Sequence, residues 1–373
     1  MITKNETYTC RRCVMNSDVE GVVFDEDGIC NFCTEYIEKY NTIIGAKELL
    51  PEKCFELKEK IQSSAGKAKY TCIMGVSGGV DSTYAVCKAV SLGLKPLLVH
   101  LDNGWNSEAS QHNIYQLIDK YDLDLITHVI NWNETKSLQR SFLNADVVDI
   151  ELLMDNAQAA LNYKVASDYG LKYILAGTNT ATEGMPMPNG WTHFKFDYKN
   201  IKDINNKHEN IRTKTHPFLS TLKWLKYEKI NKIRWIPFLD YFEYDKNEAL
   251  DFLEKEMNYK KYRYKHGESV FTRFYQNFIL PQKFSIDKRL VHFSTLIANE
   301  QMTREDALND LTENPYISSG EYLFDQEYVL KKLELTNSEF NDYISRPPVK
   351  HSQYKSEFWI FKYLLQLKRL LRI

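Results

Sequence analysis

Tyr70-Thr-Cys-Ile-Met-Gly-Val-Ser-Gly-Gly-Val-Asp-Ser82 is the stretch that decides how this chain folds. Residues 70–76 are β-rich and apolar, which predicts a short buried strand. Ser77, Gly78, Gly79, Val80, Asp81 and Ser82 follow at once, and residues 83–92 predict a helix closed by Gly93. Strand, glycine-rich loop and helix in that order form a cradle for an anion. The glycines let backbone N–H groups wrap it, and the helix start adds the positive end of its dipole. The Ser77 and Ser82 hydroxyls can donate to phosphate. The loop lacks the Gly-Lys-Ser/Thr of a Walker A sequence and the G-x-G-x-x-G spacing of a dinucleotide fingerprint.

The neighbouring segments repeat the pattern. Residues 95–101 predict a second strand ending at Asp102-Asn103-Gly104, and residues 107–121 a helix. Residues 125–131 predict a third strand. A helix over 155–169 is closed by Gly170, and residues 172–176 predict a strand ending in Gly177-Thr178-Asn179. Strands alternating with helices imply a parallel sheet. The loops at 77–82, 102–104 and 177–179 then share the carboxyl edge, where open α/β sheets bind ligands.

Upstream lies Cys10-Arg-Arg-Cys13, then sixteen residues, then Cys30-Asn-Phe-Cys33. Two CxxC pairs at this spacing suit one tetrahedral zinc of structural type, with Cys10, Cys13, Cys30 and Cys33 as ligands. A redox or sulfur-carrying pair is the other use of such cysteines. Residues 21–24 read as a strand and 25–28 as a turn, giving a ribbon-like hairpin. Cys54, Cys72 and Cys87 stand alone and read as buried small side chains. The 373 residues predict two or three structural units. Forty-eight basic and fifty acidic residues leave a charge of −2, which argues against a nucleic-acid partner held by a basic surface. No apolar run is long enough to span a membrane, and no signal-peptide pattern opens the chain, so the expected compartment is the cytoplasm.

Residues 180–230 are polar and weakly periodic, and the expectation for Glu183, His193, Lys195, Asp197 and Lys199 is a solvated loop. Glu183 stands close enough to the Gly177-Asn179 turn to be an ATP, magnesium or substrate contact. Asp245, with Glu248 three residues on, predicts a capping box opening a helix over 245–257. Lys265, His266, Glu268, Thr272 and Arg273 crowd into nine residues among aromatics, a composition that suits phosphates or an anionic sugar nucleotide, or else a solvated face. The basic, amphipathic segment 358–373 reads as a helix, docked on its own domain or against a partner or membrane surface.

The string SGGVDS at 77–82 resembles the pyrophosphate loop of the PP-loop ATP-pyrophosphatase superfamily. That resemblance implies an α/β fold with a parallel-sheet, Rossmann-like (adenine nucleotide alpha hydrolase-like) domain. It places Val76, Ser77, Gly78, Gly79, Asp81 and Ser82 on the phosphates, Leu101, Asp102 and Asn103 near adenine and ribose, and Gly177, Thr178 and Asn179 in a second nucleotide motif. The four cysteines, SGGVDS, AGTN at 176–179 and the stretch KHGESVFTRFYQNFILPQKFSIDKRLVHFSTLIANEQMTREDAL together resemble the WbpG- and PseA-like N-acetyl sugar amidotransferases. The resemblance implies a zinc ribbon over 1–45, an ATP-binding domain over 46–240 and a mainly helical substrate or partner region over 241–373. It implies ATP, Mg2+ and structural Zn2+ as cofactors. The implied reaction converts the acetamido group of a UDP- or CMP-linked sugar to an acetamidino group, for lipopolysaccharide O-antigen or flagellin glycan. Asp81, Glu183, Lys265, His266, Glu268 and Arg273 are the implied catalytic set.

Ile2 stands where an N-terminal-nucleophile glutaminase carries cysteine, and no G-x-C-x-G elbow occurs. The family therefore implies that a glutaminase and a cyclase-like subunit supply the ammonia, and a homodimer is compatible with the reading. A PP-loop tRNA thiolase and an ammonia-dependent carboxylate ligase are the alternatives. A thiolase predicts a catalytic cysteine near the second motif, and no cysteine follows Cys87.

Overall fold

The computed structural model describes residues 7–45, 47–262, 267–316 and 318–370. Five parallel strands form one sheet: β1 (Cys72–Gly75), β2 (Pro96–Asp102), β3 (Leu125–Val129), β4 (Tyr173–Ala176) and β5 (Arg234–Pro237), in the order β3-β2-β1-β4-β5. The first six residues of β2 are all buried, the continuous apolar run expected of a strand covered on both faces. Cys72, Met74, Leu98 and Leu175 face the helices Leu50–Ala65, Val80–Ser91, Glu108–Tyr121 and Lys246–Met257. Ile73, Leu97, Val99 and Ile174 face the helix Leu152–Asp168 and the Leu219–Tyr227 segment. Successive residues of a strand point to opposite faces, so one sheet organises two cores.

Strand order reverses between β1 and β4, and a crevice opens there at their carboxyl ends. Gly75 permits a close layer beneath it. A Cβ at Gly75 would lie 2.9 Å from Asn162 Nδ2 on the helix Leu152–Asp168.

A third core joins the two ends of the chain. Cys10, Cys13, Cys30, Cys33 and Tyr36 are buried together with Trp105, Phe142, Phe271, Phe274, Leu280 and Phe340. The C-terminal part is helical from Lys246 onward. Its Val270–Phe284 helix carries a wide π turn at Tyr275–Ile279. Pro281 lies just beyond and has no N–H to give the ordinary helical bond.

The sheet segments agree with the sequence reading to within a few residues, with four differences. The helix after β1 starts at Val80 rather than Thr83, because Gly79 is already its N-cap. Residues 21–24 form no strand; only the isolated bridge Phe24–Cys30 is present, and the Asp25–Gly28 turn holds by itself. The helix Trp132–Asn144 and strand β5 were not anticipated, the former because its polar residues mask its periodicity. Asp245 caps its helix through Asn247 N (2.8 Å) and Glu248 N (2.9 Å), with no reciprocal Glu248 bond in the cap.

Residues 180–230 are not a solvated loop either. They include the helices Tyr198–Lys207 and Thr221–Leu225, and Asp197, Asn200, Asp203, Asn205 and His216 are buried, whereas Glu183 and Lys199 are exposed as expected. Lys195 binds the buried Asp149 at 2.8 Å and Asp155 at 2.8 Å. Burial by itself would lower the Lys195 pKa, but these two carboxylates outweigh it and hold the ammonium charged. The fully buried Asp197 accepts from His193 Nε2 (2.8 Å), the Ser356 hydroxyl and two backbone amides. Charged residues inside a fold need such partners, and here the partners are distant in sequence.

Candidate nucleotide and metal sites

The loop between β1 and the helix Val80–Ser91 is shaped by its own hydroxyls. Ser82 Oγ lies 3.3 Å from Ser77 Oγ and donates to Gly79 O at 3.2 Å, and Gly79 N donates to Ser77 Oγ at 3.3 Å. Gly78 adopts φ +79°, and a Cβ there would stand 2.5 Å from Ser110 O, so only glycine fits. Its carbonyl is turned away from the crevice by three donors: Asn113 Nδ2 (3.1 Å), Tyr259 OH (3.0 Å) and Tyr262 OH (2.9 Å). With these three donors on its carbonyl, the backbone of the loop is held in place at Gly78.

The second motif meets the first directly. Gly177 packs on the opening turn of the helix Val80–Ser91; a Cβ there would lie 2.6 Å from Ser82 N and 2.8 Å from Asp81 O. Thr178 is exposed at the rim. Asn179 is 5% exposed and caps the short helix Thr180–Glu183, accepting from Thr182 N at 2.8 Å. Its side chain therefore shapes the loop, and Glu183 stands exposed at that helix's end. Asp240 fixes the same turn, accepting from Thr180 N (2.5 Å) and Thr180 Oγ1 (2.9 Å). Burial raises the Asp240 pKa.

Asp81 accepts the Tyr244 hydroxyl. Burial, and then the Asp81 charge, push the Tyr244 phenol well up, so it stays a donor. At the end of β2, Asp102 Oδ1 accepts Gly104 N at 2.9 Å and Asn103 Oδ1 accepts Trp105 N at 3.0 Å, while Leu101 is buried in the core. His100 Nδ1 meets Val76 O at 2.9 Å and its Nε2 meets Asn106 Nδ2 at 2.9 Å. That pairing ties the β2 loop to the start of the phosphate loop.

The segment after residue 266 completes this edge. Asn106 and Ser269 form an antiparallel bridge, Ser107 N donates to Glu268 O at 2.9 Å, and Val270 N donates to Trp105 O at 3.1 Å. Glu268 is thereby carried to the phosphate loop, its Oε1 3.8 Å from where a Gly79 Cβ would stand. Arg273 instead forks onto Asp325, Nε to Oδ2 at 2.7 Å and Nη2 to Oδ1 at 2.6 Å, with the Tyr316 hydroxyl also on Asp325. Lys265 and His266 lie outside the described residues. The structure thus brings Asp81, Glu268 and the three loops to one crevice.

Sequence reasoning missed His100, Asn106, Asp240, Tyr244, Tyr259, Tyr262 and Lys332. Lys332 donates to Gly104 O and lies 4.2 Å from the Trp132 ring centre and 4.7 Å from that of Trp105. Burial lowers its pKa, offset in part by Asp102. None of these residues belongs to a local motif, and contacts spanning up to 228 positions carried no signal in a single sequence.

The four Sγ atoms of Cys10, Cys13, Cys30 and Cys33 lie within 4.8 Å of one another, all buried, with Cys13 and Cys30 3.6 Å apart. Tetrahedral zinc–thiolate bonds of about 2.3 Å put sulfurs about 3.8 Å apart, so the set fits. Backbone N–H groups already point at the sulfurs: Cys30 N to Cys10 Sγ at 3.3 Å and Met15 N to Cys13 Sγ at 3.4 Å. Arg304 donates to Cys10 O and Cys13 O, which locks the cluster to the C-terminal helices. The isolated cysteines are buried, as expected.

Residues 268–368 match the family model of the LPS biosynthesis protein WbpG-like, C-terminal domain. That match covers 101 of the 373 residues. The matched segment includes Glu268 and Arg273 and all of the helix Ser319–Leu333. No curated protein matches the chain at significance. Among solved structures, the chain resembles an NMN synthetase from Francisella tularensis at 19% identity, covering 59% of this chain and 96% of that one, with a TM-score of 0.27. It also resembles an NH3-dependent NAD synthetase from Campylobacter jejuni in complex with the nitrate ion, at 13% identity, covering 72% and 99%, with a TM-score of 0.30. Likeness at that level transfers neither mechanism nor substrate. Among the described residues no helix is long and apolar enough to cross a membrane.

Proposed function

We propose that this WbpG-like chain is an ATP-dependent amidotransferase that converts an acetamido group of a UDP- or CMP-linked sugar to an acetamidino group, for a bacterial surface polysaccharide or flagellin glycan. The observation that carries the reading is the position of Glu268: the family-matched segment is bridged to residues 105–107 and sets its first carboxylate beside Gly79 of the phosphate loop. This contact supports a site shared between the loop 76–82 and the start of the family-matched segment.

An amide oxygen is a poor leaving group, so ATP must activate it. The acetamido oxygen attacks the α-phosphorus, pyrophosphate departs, and an adenylated imidate forms. Ammonia adds to the imidate carbon, a proton is lost from nitrogen, and AMP leaves with the former amide oxygen. The loop 76–82 binds the phosphates, and Gly177, Thr178 and Asn179 shape the opposite rim. Residues 101–103 border the nucleoside side. Asp81 and Glu183 are the groups that would hold Mg2+, which neutralises phosphate charge when bound. Glu268 is the described carboxylate best placed to take the ammonia proton, and Lys265 and His266 belong to the same proposed set. Arg273 acts by positioning, since its fork is on Asp325.

Zinc held by Cys10, Cys13, Cys30 and Cys33 is structural in this scheme, because a four-thiolate shell leaves no open position. Residues 1–45, 46–240 and 241–373 then act as metal clamp, ATP domain and substrate or partner region. Ammonia arrives from a separate glutaminase with a cyclase-like subunit.

The test combines ATP, Mg2+, a high ammonium concentration and a panel of UDP- and CMP-linked diacetamido sugars. AMP release together with exchange of one sugar oxygen for NH supports the reading. AMP with no sugar change returns the thiolase and carboxylate-ligase alternatives, and ADP contradicts α-phosphorus chemistry altogether.

A further inference from the structure

A cavity of about 290 Å³ lies between Tyr262, Gly267, Arg273 and the start of the helix Ser319–Leu333. Tyr262 lines it and links it to the phosphate loop, its hydroxyl donating to Gly78 O at 2.9 Å. Gly267, the neighbour of Glu268, forms the adjoining edge. The opposite wall is the helix Ser319–Leu333, which contributes Gly320, Glu321, Phe324 and Asp325.

The chemistry of these walls is specific. Asp325 is 1% exposed, and its carboxylate is held by the Arg273 fork and the Tyr316 hydroxyl, so that wall is rigid and polar. Phe324 is 65% exposed despite sitting on a family-matched helix. Tyr328 continues its face, with ring centres 6.3 Å apart and planes within 9°. Four residues further along the same face stands Lys332, about 12 Å from Phe324 by helical rise, at the end of β2. An exposed aromatic face, a fixed carboxylate–guanidinium pair and a cation two turns away match a ligand with a flat ring, hydroxyl or amide groups, and linked phosphate.

We infer that this cavity is the acceptor site and that the helix Ser319–Leu333 recognises the nucleotide-linked acetamido sugar, a reading that rests on the function proposed above. The acceptor's amide then lies on the Tyr262 side, next to the loop that holds the ATP α-phosphate. Its phosphates run toward Lys332.

Gly320 provides a clean test. Only Ser318 Oγ, at 3.9 Å, lies near a Cβ built there, so this cavity-lining position has room for a side chain to begin. Binding is measured by titration calorimetry with the same panel of UDP- and CMP-linked diacetamido sugars and, separately, with ATP. Gly320→Leu is expected to weaken sugar binding at least tenfold and Phe324→Ala about fivefold. ATP affinity and the thermal midpoint should stay as in the wild type for both variants. If the wild type binds a sugar and both variants bind it equally well, the cavity assignment is overturned and the function stands. If the wild type binds no member of the panel, both fall. Loss of ATP binding in both variants would also overturn it, since the walls would then serve the nucleotide crevice.

Discussion

Gly177→Ala tests whether the two loops form one machine. The added Cβ would lie 2.6 Å from Ser82 N, 2.7 Å from Asp81 C and 2.8 Å from Asp81 O, all backbone atoms of the helix that opens the phosphate loop. Ordinary contact begins at 3.4 Å, so the β4 end or the helix start must yield by about 0.8 Å. Overpacking of this kind costs about 1–3 kcal/mol of stability. The effect on catalysis should be larger in proportion, because a displacement near 1 Å in a positioned site lowers the rate about 100-fold. The assay is ATP-dependent AMP formation beside urea unfolding. Gly190→Ala is the control: φ is +82° and nothing lies within 4 Å, so it should lose roughly 1 kcal/mol from backbone strain and keep full turnover. Wild-type turnover and ATP KM in Gly177→Ala would refute the claim that Gly177 and the Ser82 turn must meet.

Three further predictions concern metal, pH and the buried pair. The purified chain should hold about one zinc by atomic emission; Cys30→Ser should lose it and lower the melting temperature, whereas a zinc-free wild type unaffected by chelators would count against the site. His216 and His351 are both buried, and burial pushes each pKa down from 6.5 to about 4. The unfolded chain therefore takes up protons first as pH falls, and stability present above pH 6.5 should drain away between pH 6.5 and 4, by on the order of 3 kcal/mol per histidine. Urea unfolding across that window checks this, and a His351→Gln variant with an unchanged slope would contradict it. Asp325→Ala removes the carboxylate onto which Arg273, 19% exposed, forks and should cost about 3–5 kcal/mol, while the double variant Arg273→Met/Asp325→Leu recovers most of it. Equal losses in single and double variants would show that the pair is not coupled.

Local sequence determined the units of this fold. The strand at 72–75, the glycines at 78, 79 and 177, and two CxxC pairs each express a requirement met within a few residues: burial, positive φ or close approach, and ligand geometry. The parallel sheet follows because strands separated by helices have few other solutions. Tertiary structure decided what those units touch. No local pattern foretells that Tyr259 and Tyr262 fix the Gly78 carbonyl from 181 and 184 residues away, or that Tyr244 holds Asp81. The solvated-loop expectation for Lys195 and Asp197 failed for the same reason, since their partners Asp149 and Ser356 come from other elements. Glu268 shows both contributions: its own stretch marked it as a candidate, but only its bridge to the β2 loop set it beside Gly79. A short motif encodes how a backbone turns, whereas burial and charge pairing depend on which surfaces the folded chain brings together.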